Sequence, residues 1–350
     1  MRGYLRPAAG LTCLFALAAA GCSSGGTGTT DAAPAQTSRA PRTSAAPSES
    51  ASSSGTSSST SYAPYVSATE ASATDSTGSP TTYNLAFVIS DGTNCTAKWN
   101  GTDAIDKAAV KSRISALKES GASVRVSFGG ASGKELAEVC GSASALAAAY
   151  GAALDAAGST QADFDIEGDA LTDSASVALR SKAIALLQKE RGDLKVSFTL
   201  PVMPSGLDSD GLALLESAND NSVTISTVNI MTMNYGSSYS GDMGDYAETS
   251  AKATHDQLQD VFGLSSAEAW QGLALTSMIG DNDVANETFS LLDAAQVRAF
   301  AESKKIAWVS MWSTFRDQQC SSGDASSDDA ATNCSGVSQS SGAFAEAFAG

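Results

Sequence analysis

The sequence predicts an α/β protein: a (β/α)8 TIM barrel preceded by a disordered linker. The chain has 350 residues, enough for one large domain with an extension. From residue 62 onward, short apolar segments alternate with helix-like segments, as expected for parallel strands joined by crossover helices. Residues 23–61 contain no Leu, Ile, Val, Met or aromatic residue, so they cannot bury enough apolar surface to fold.

Residues 1–21 predict an export signal. Arg2 and Arg6 precede an apolar run that is too short to span a membrane and is followed by small residues. Cys22 then occupies the position of the lipid-modified cysteine of bacterial lipoproteins, with Ala19 in place of the usual leucine. We therefore expect an extracellular or cell-envelope protein anchored by a lipid on Cys22, with a simple secretory signal as the alternative. Residues 22–61, rich in Ser, Thr, Ala and Pro, would form a flexible tether.

Residues 62–350 form the predicted barrel. The expected strands are 63–66, 83–90, 123–128, 163–167, 194–200, 223–233, 273–278 and 306–312. The expected helices are 104–120, 134–156, a helix capped by Asp173 and running to Glu190, then 209–219, 249–261, 293–304 and 343–348. The first repeat, around residues 69–80, is the least apolar. A doubly wound open sheet is the alternative for the same alternation.

Charge and cysteine content narrow the class of protein. The net charge of −17 argues against nucleic acid as a partner and suits a protein acting on a neutral polymer. The four cysteines beyond residue 22 suggest two disulfides in an exported protein, with three possible connectivities. We favour Cys95–Cys140 and Cys320–Cys334, because the second pair closes a short loop. The single histidine, His255, lies in an amphipathic helical pattern, so we predict no metal site.

The predicted fourth strand carries the most informative pattern. Because side chains of a strand alternate between faces, Asp163, Asp165 and Glu167 share one face, and Phe164 and Ile166 share the other. The apolar face packs under the helices, so the acids point into the barrel. Carboxylates buried together cannot all be ionised, and their repulsion creates a general acid. A cation-binding patch is the alternative, although calcium or magnesium needs more oxygen ligands.

The strand resembles the Asp-x-x-Asp-x-Asp-x-Glu motif of glycoside hydrolase family 18, the chitinases and their relatives. Thr160 stands in the place of the first acid, and the other three acids match. Ser127-Phe128-Gly129-Gly130 resembles the family's Ser-x-Gly-Gly element, in which Gly129 and Gly130 would let the sugar approach the backbone.

The sixth strand resembles the family's Met-x-Tyr-Asp element in two alternative alignments. In the first, Met233 and Tyr235 match, and Gly236 takes the place of the Asp. In the second, Met233 replaces the Tyr and Asn234 replaces the Asp. We prefer the first alignment because it retains a tyrosine hydroxyl. The eighth strand ends at Trp312, which resembles the tryptophan that supports the sugar beside the cleaved bond in the family.

The resemblance implies a chitinase that acts by substrate-assisted retention, without a metal or cofactor. Glu167 would be the acid and base, Asp165 would bind the acetamido N–H, Asp163 would share a proton with Asp165, and Tyr235 would orient the acetamido oxygen. Candidate substrate-binding residues are Trp312, Met233, Asn234, Gly129, Gly130 and Met278. The expected partner is chitin or another N-acetylglucosamine-containing glycan. The expected state is a monomer, which meets a membrane only through an N-terminal lipid.

Two further expectations concern the barrel. About 27 residues separate Met278 from Ile306, enough for a loop and one helix but not for an inserted domain. We therefore expect an open groove and non-processive, internal cleavage. Arg125 has the strand parity of Ser127, so we expect it to face the interior and offset the acid charge.

The alternatives to a chitinase are an endo-β-N-acetylglucosaminidase, a non-catalytic glycan-binding lipoprotein on the same barrel, and an unrelated envelope lipoprotein.

Overall fold

The structure is a computed structural model that describes residues 60–321 and 333–350. The predicted export signal, Cys22 and all but the last two residues of the predicted linker lie outside these ranges. Within them, no helix is both long enough and apolar enough to cross a membrane.

A closed barrel of parallel strands forms the centre of the molecule. Its strands are β1 (Ser61–Tyr62), β2 (Tyr65–Ser67), β3 (Thr82–Ile89), β6 (Ser123–Gly129), β7 (Gln161–Asp165), β8 (Lys195–Pro201), β9 (Ile225–Met231), β10 (Leu273–Met278) and β13 (Trp308–Trp312). β1 pairs with β13 and β2 pairs with β3, so the two short strands together act as one barrel strand that closes the ring. The predicted TIM barrel is thus confirmed over the open sheet.

The closing strand is interrupted at Pro64. The N–H of Ala63 donates to the carbonyl of Val309 at 2.9 Å, and the N–H of Asn84 donates to the carbonyl of Pro64 at 2.9 Å. Because proline has no N–H, it cannot contribute a donor to either neighbouring strand. The backbone around Pro64 therefore changes its pairing from the last strand of the barrel to the next one.

The helices cover the outside of the barrel. They are α1 (Ala108–Lys118), α2 (Ala143–Ala157), α3 (Gly168–Thr172), α4 (Ser174–Glu190), α5 (Ser209–Asp220), α6 (Met243–Phe262), α7 (Ser266–Gln271), α8 (Leu291–Lys304) and a C-terminal helix, Ala343–Ala349. Asp173 caps α4 as predicted, accepting from the N–H groups of Ala175 and Ser176. The single helix predicted over 134–156 is wrong: a 3-10 helix, Leu136–Glu138, ends before Ser142 caps α2.

Two short hairpins were missed by the sequence analysis. One pairs β4 (Lys98–Trp99) with β5 (Asp103–Ala104), and the other pairs β11 (Gly280–Asp281) with β12 (Thr288–Phe289). The second hairpin and α8 fill the segment between β10 and β13, where a loop and one helix were expected. The β11–β12 hairpin matters for function, because it reaches the carboxyl end of the barrel.

Both predicted disulfides, Cys95–Cys140 and Cys320–Cys334, are present. His255 is buried, stacks on Trp270 with 4.2 Å between ring centroids and bonds to Ser266, so its role is structural. Residues 60–321 and 333–350 contain no group of three or more side chains that could hold a metal ion.

The apolar core lies between the sheet and the helices, whereas the barrel interior is polar. Phe128, Phe164 and Phe198 point outward and are fully buried under the helices. Ser127, Asp163, Ser197, Thr199 and Asn229 are also buried, and they bond to one another inside the barrel. Buried polar groups need partners, and the interior supplies them from neighbouring strands.

Arg125 lies inside the barrel, as predicted. Its guanidinium donates to Asn84 Oδ1 at 2.7 Å and to Gln161 Oε1 at 3.1 Å, and it stacks 3.9 Å from the ring centroid of Trp308. Burial lowers the pKa of Arg125, and the nearby charge of Asp163 opposes that shift. A buried positive charge, the guanidinium of Arg125, thus lies inside the barrel near Asp163.

Candidate active site

Asp163 lies at the centre of a ring of hydroxyl donors. Oδ2 accepts from Tyr65 at 2.9 Å and from Ser127 at 2.6 Å, and Oδ1 accepts from Ser197 and Thr199, both at 2.8 Å. These four hydroxyl groups can satisfy the acceptor positions of an ionised carboxylate, which lies buried below the cleft.

Asp165 lies two residues further along β7, on the same face. Burial raises the pKa of Asp165 well above its usual range, and the negative charges of Glu167 and Asp163 add to the effect. Its side chain bonds to Glu167, while its Oδ1 atom is buried with no hydrogen-bond partner among the described residues. Such an orphaned acceptor is rare in proteins and indicates a ligand donor.

Glu167 follows the end of β7 and stands at the N-cap position of α3. Burial raises the pKa of Glu167; its hydrogen bond with Asp165 opposes the shift, and the charge of Asp283 adds to it. A partly buried carboxyl group with a raised pKa, at the carboxyl end of a barrel strand, suits a general acid.

A cleft of about 330 Å³ opens beside these acids. It is lined by Tyr65, Phe87, Ala131, Ser132, Asp165, Glu167, Thr199, Met231, Met233, Asn234, Thr276, Met278, Asp283, Trp312 and Phe315. The structure thus brings together six predicted site residues: Asp165, Glu167, Met233, Asn234, Met278 and Trp312.

Trp312 belongs to an aromatic cluster on one side of the cleft. Its ring stacks on Phe87 with 5.5 Å between centroids and meets Tyr65 and Phe315 edge-on at 5.8 and 5.7 Å. The sequence analysis identified Trp312 and missed the other three aromatic residues. Such a rigid apolar wall can pack against the apolar face of a sugar ring.

A second cavity of about 310 Å³ lies on the other side of Glu167. Its lining comes from the ends of β8 and β9, namely Glu167, Pro201, Val202, Met203, Asp208, Met231, Met233 and Asn234. Glu167 therefore lines both cavities, at the place where they meet.

The predicted sugar contacts at Gly129 and Gly130 are not found in the 330 Å³ cleft. A Cβ at Gly129 would lie 2.1 Å from the carbonyl oxygen of Asp165, and one at Gly130 would lie 2.9 Å from the ring of Phe87. Both residues also have positive φ, 101° and 91°. The close approach that requires glycine is thus made by the protein itself, although both glycines border a smaller cavity beside Glu167.

The structure does not bring Tyr235 to the cleft, where its predicted role would place it. Tyr235 is buried away from both large cavities, packs against Tyr239 and Tyr246, and its hydroxyl accepts from Ser250 Oγ at 3.3 Å. The chain turns at Asn234, where φ is +54°, and this turn directs the next side chain toward α6. The second alignment is therefore the structural one, with Met233 and Asn234 in the cleft.

We expect Tyr235→Phe to leave kcat within about two-fold, because the lost hydroxyl bonds only inside the protein. The free energy of unfolding should fall by about 1 kcal/mol, the usual value of one hydrogen bond. Steady-state kinetics and urea unfolding measure the two effects. A ten-fold loss of kcat at unchanged stability would restore Tyr235 to the catalytic centre.

Asp283 is a cleft residue that the sequence analysis missed. The hairpin β11–β12 carries it to the cleft, where its N–H donates to Asn234 Oδ1 at 3.1 Å and its Oδ2 accepts from Asn234 Nδ2 at 3.3 Å. Glu287 fixes the same junction by accepting from the N–H groups of Tyr235 and Gly236. The carboxylate of Asp283, from the β11–β12 hairpin, thus lies against Asn234, which takes the place of the family's Asp in the second alignment.

Asp283→Asn should lower the pKa of Glu167, because the negative charge of Asp283 raises it. The basic limb of the kcat/KM profile, which reports the loss of the acid's proton, should therefore move to lower pH. Asp283 is exposed, so the difference between the variant and the native protein should shrink at 1 M salt, where the screening length is about 3 Å. A basic limb that stays in place would show that Asp283 does not act on Glu167.

These groups together define a class of protein. A carboxyl group with a raised pKa at the carboxyl end of a barrel strand, beside two cavities and next to an aromatic wall, is suited to glycosidic bond cleavage. The fold and site are those of a TIM-barrel glycoside hydrolase.

Comparison with known proteins identifies the family. A probable bifunctional chitinase/lysozyme of Escherichia coli (strain K12) is 33% identical over 275 residues, which are 73% of this chain and 31% of that protein. Endochitinase 11 of Metarhizium anisopliae is also 33% identical over 275 residues, 73% of this chain and 52% of that protein. The chain thus spans about a third of the first relative's length and about half of the second's. No protein-family model matches the chain.

Solved structures agree with these relatives. Active domain 2 of a chitinase from Pyrococcus furiosus, studied as catalytic-site mutants, superimposes with a TM-score of 0.72 and 28% identity. The match covers 82% of this chain and 93% of that chain. The same domain complexed with chito-oligosaccharides gives a TM-score of 0.71 at 28% identity, over 82% and 92% of the two chains. The chain belongs to glycoside hydrolase family 18.

Proposed function

We propose that this chain hydrolyses β-1,4-linked polymers of N-acetylglucosamine by substrate-assisted catalysis with retention of configuration. The observation that carries the proposal is the unpartnered Oδ1 of Asp165, buried beside Glu167 and next to the cleft. An acetamido N–H would supply the donor that this oxygen lacks. The P. furiosus domain, a structural relative, is described in complex with chito-oligosaccharides.

In the first half-reaction, the acetamido carbonyl oxygen attacks the anomeric carbon while the glycosidic C–O bond breaks. Glu167 donates its proton to the departing oxygen, so the leaving sugar departs as an alcohol. Asp165 accepts from the acetamido N–H, and its side chain stabilises the positive charge of the oxazolinium ring as it forms. The hydroxyl ring around Asp163 keeps a second negative charge close to the same centre.

In the second half-reaction, water attacks the anomeric carbon from the side that the leaving sugar vacated. Glu167, now ionised, takes the proton of that water, and the carbonyl oxygen leaves the anomeric carbon. Two displacements at one carbon give net retention. Glu167 ends protonated, ready for the next cycle.

Met233 makes this version of the site distinctive. Its thioether lies in the cleft where the family has a tyrosine, so it offers apolar contact instead of a hydroxyl donor. We infer that this chain positions the acetamide through Asp165 and through the packing of the cleft walls.

The proposal is tested with a chitin hexasaccharide, following the anomeric protons of the fresh products by NMR. We expect the β-anomer first, and no cleavage of the fully deacetylated oligomer, which lacks the nucleophilic carbonyl. Glu167→Gln should cleave the hexasaccharide far more slowly. Its control is Glu216→Gln, on an exposed position of α5, which should behave like the native protein. Binding of the hexasaccharide without turnover would overturn the proposed enzymatic activity and favour the alternative of a glycan-binding protein.

We also propose internal, non-processive cleavage. Between β10 and β13 the chain has only the β11–β12 hairpin and α8, so no inserted domain borders that side of the cleft. On a soluble chitin derivative, viscosity should fall well before reducing ends accumulate. Release of disaccharide from the first time points onward would contradict this mode.

Export, a lipid anchor on Cys22 and a monomeric state complete the proposal. The apolar run before Cys22 and the polar segment after it support the first two. Labelling with radioactive palmitate should mark the native chain and not Cys22→Ser. Light scattering of the soluble barrel should give the mass of one chain.

A further inference from the structure

We propose that Asn229 and Thr276 are positioning residues that hold the negative charge on Asp163 through a directed chain of hydrogen bonds across the barrel interior. The inference rests on the proposed function, because it assigns these residues to the same catalytic centre. It concerns strands β9 and β10, which follow β8 in the barrel wall on one side of the acidic strand and to which the sequence motifs assign no such role.

The chain of hydrogen bonds has three links and one direction. Thr276 Oγ1 donates to Asn229 Oδ1 at 2.9 Å, and Asn229 Nδ2 donates to Thr199 Oγ1 at 2.9 Å. Thr199 Oγ1 then donates to Asp163 Oδ1 at 2.8 Å. These three donors point toward the carboxylate, and successive bonds of this kind polarise and strengthen one another. Thr199 Oγ1 also lies 3.0 Å from the Tyr65 hydroxyl, a contact in which either atom can donate. We call Thr276, Asn229 and Thr199 the relay.

The direction depends on the amide of Asn229, because its two ends differ. With Oδ1 toward Thr276 and Nδ2 toward Thr199, the Thr199 hydroxyl receives a donor and has its own proton available for Asp163. If the amide turned over, its oxygen would face Thr199 and compete for that proton. The orientation is set from the carboxylate end, because Thr199 donates to Asp163 and therefore accepts from Nδ2, while the Thr276 hydroxyl satisfies Oδ1.

The surroundings of Asp163 explain why this matters. Charged or titratable groups approach it from β2 (Tyr65), from β6 (Arg125) and from its own strand and the residues after it (Asp165 and Glu167). β8 contributes hydroxyl groups only, Ser197 and Thr199. With the relay intact, the negative charge stays on Asp163, and the proton shared by the two aspartates stays on Asp165. Only there can it reach Glu167 and prepare Asp165 for the acetamide.

Asn229 allows a clean test because it is 1% exposed and does not line the cleft. Its replacement can affect the reaction only through its neighbours. Thr276 lines the cleft as well, so its replacement could also alter substrate contact. The two effects separate in kinetics, since a lost substrate contact raises KM and a lost positioning contact lowers kcat.

The first experiment compares pH profiles of kcat for the native protein, Asn229→Leu and Thr276→Val. Without the relay, ionised Asp163 is less stable, so the aspartate pair binds its protons more tightly. The acid limb should therefore move to higher pH, kcat at the optimum should fall about ten-fold, and KM should stay within about two-fold. Thr276→Ser keeps the hydroxyl and should restore both kcat and the profile.

Ser310→Ala is the matched control. Ser310 pairs in register with Thr276 on the neighbouring strand and is equally buried, but its hydroxyl has no hydrogen-bond partner among the described residues. We expect native kinetics from this variant. Equal losses in Ser310→Ala and Thr276→Val would mean that any change of the interior has the same effect, which would overturn the relay.

A second measurement is independent of turnover. Carboxyl ¹³C NMR follows the titration of Asp163 and Asp165 directly, and both relay variants should move it toward higher pH. Unchanged titration, or a change confined to KM, overturns the proposal. If Asn229→Leu does not fold, the Thr276→Val and Thr276→Ser pair decides the question. An inactive native protein with a relay-dependent titration would refute the proposed function and leave the relay intact.

Discussion

Replacing Glu167 by Gln is expected to lower kcat on chito-oligosaccharides by about 10²–10⁴-fold, the usual contribution of a positioned general acid. KM should change by only a few-fold, because the amide has the shape of the acid and can still bond to Asp165. Burial holds the pKa of Glu167 above its ordinary value, so the native side chain keeps its proton over a wider pH range. The variant should lose the basic limb of the kcat/KM profile together with this proton.

The leaving group offers a sharper test of the same substitution. The leaving group of a dinitrophenyl glycoside is dinitrophenolate, a stable anion that needs little protonation. Glu167→Gln should therefore impair cleavage of this substrate far less than cleavage of an oligosaccharide. The second half-reaction still needs a base, so an initial burst of dinitrophenol followed by slow turnover is expected. Equal losses of kcat on both substrates would show that Glu167 does not act by protonating the leaving group, and would assign it another role.

The acidic strand could be predicted from the sequence because its information is local. A strand alternates its faces every second residue, so the placement of Asp163 and Asp165 on one interior face needs no knowledge of distant residues. Glu167 lies beyond the last residue of β7 and still reaches the cleft, since Ile166 remains extended and bonds to Thr199 of β8. The predicted pattern therefore extends slightly further than the strand itself.

The same rule could not choose between the two alignments of the Met-x-Tyr-Asp element. Met233 and Tyr235 have equal strand parity, so both would face the cleft if the strand continued. The strand ends at Met231, and the left-handed turn at Asn234 separates the two side chains. Asparagine tolerates this conformation better than most residues, but nothing in the sequence marks the turn as obligatory.

Asp283 required information from distant parts of the chain. Its place in the cleft depends on the β11–β12 hairpin and on its bonds with Asn234, which is 49 residues away in sequence. One signal was available: Asp281, Asn282 and Asp283 follow closely on a barrel strand, and polar residues at that end of a strand commonly belong to the active site. The relay of Asn229 and Thr276 is equally non-local, since it joins three strands through side chains.

Asp165→Asn is expected to lower kcat by about 10²–10³-fold, the effect of removing one well-placed electrostatic contact from a transition state. The amide oxygen can still accept from an acetamido N–H, so ground-state binding and KM should change little. What the variant loses is an ionisable carboxyl group, so the Asp165–Glu167 pair can no longer place negative charge beside the oxazolinium ring as Glu167 gives up its proton. Asp260→Asn, on an exposed position of α6, is the control and should retain native kinetics.

The pH profile separates this role from simple positioning. Burial raises the pKa of Asp165, and the charges of Glu167 and Asp163 add to the shift, so Asp165 takes up a proton at higher pH than an ordinary aspartate, whereas an asparagine cannot titrate. Asp165→Asn should therefore change the acid limb of kcat as well as its height, whereas Asp165→Ala should in addition raise KM because it also removes the acceptor. A larger loss of kcat in Asn than in Ala would mean that the amide donates into the site and obstructs the acetamide. Equal kinetics in the two variants would instead assign the whole contribution of Asp165 to its charge.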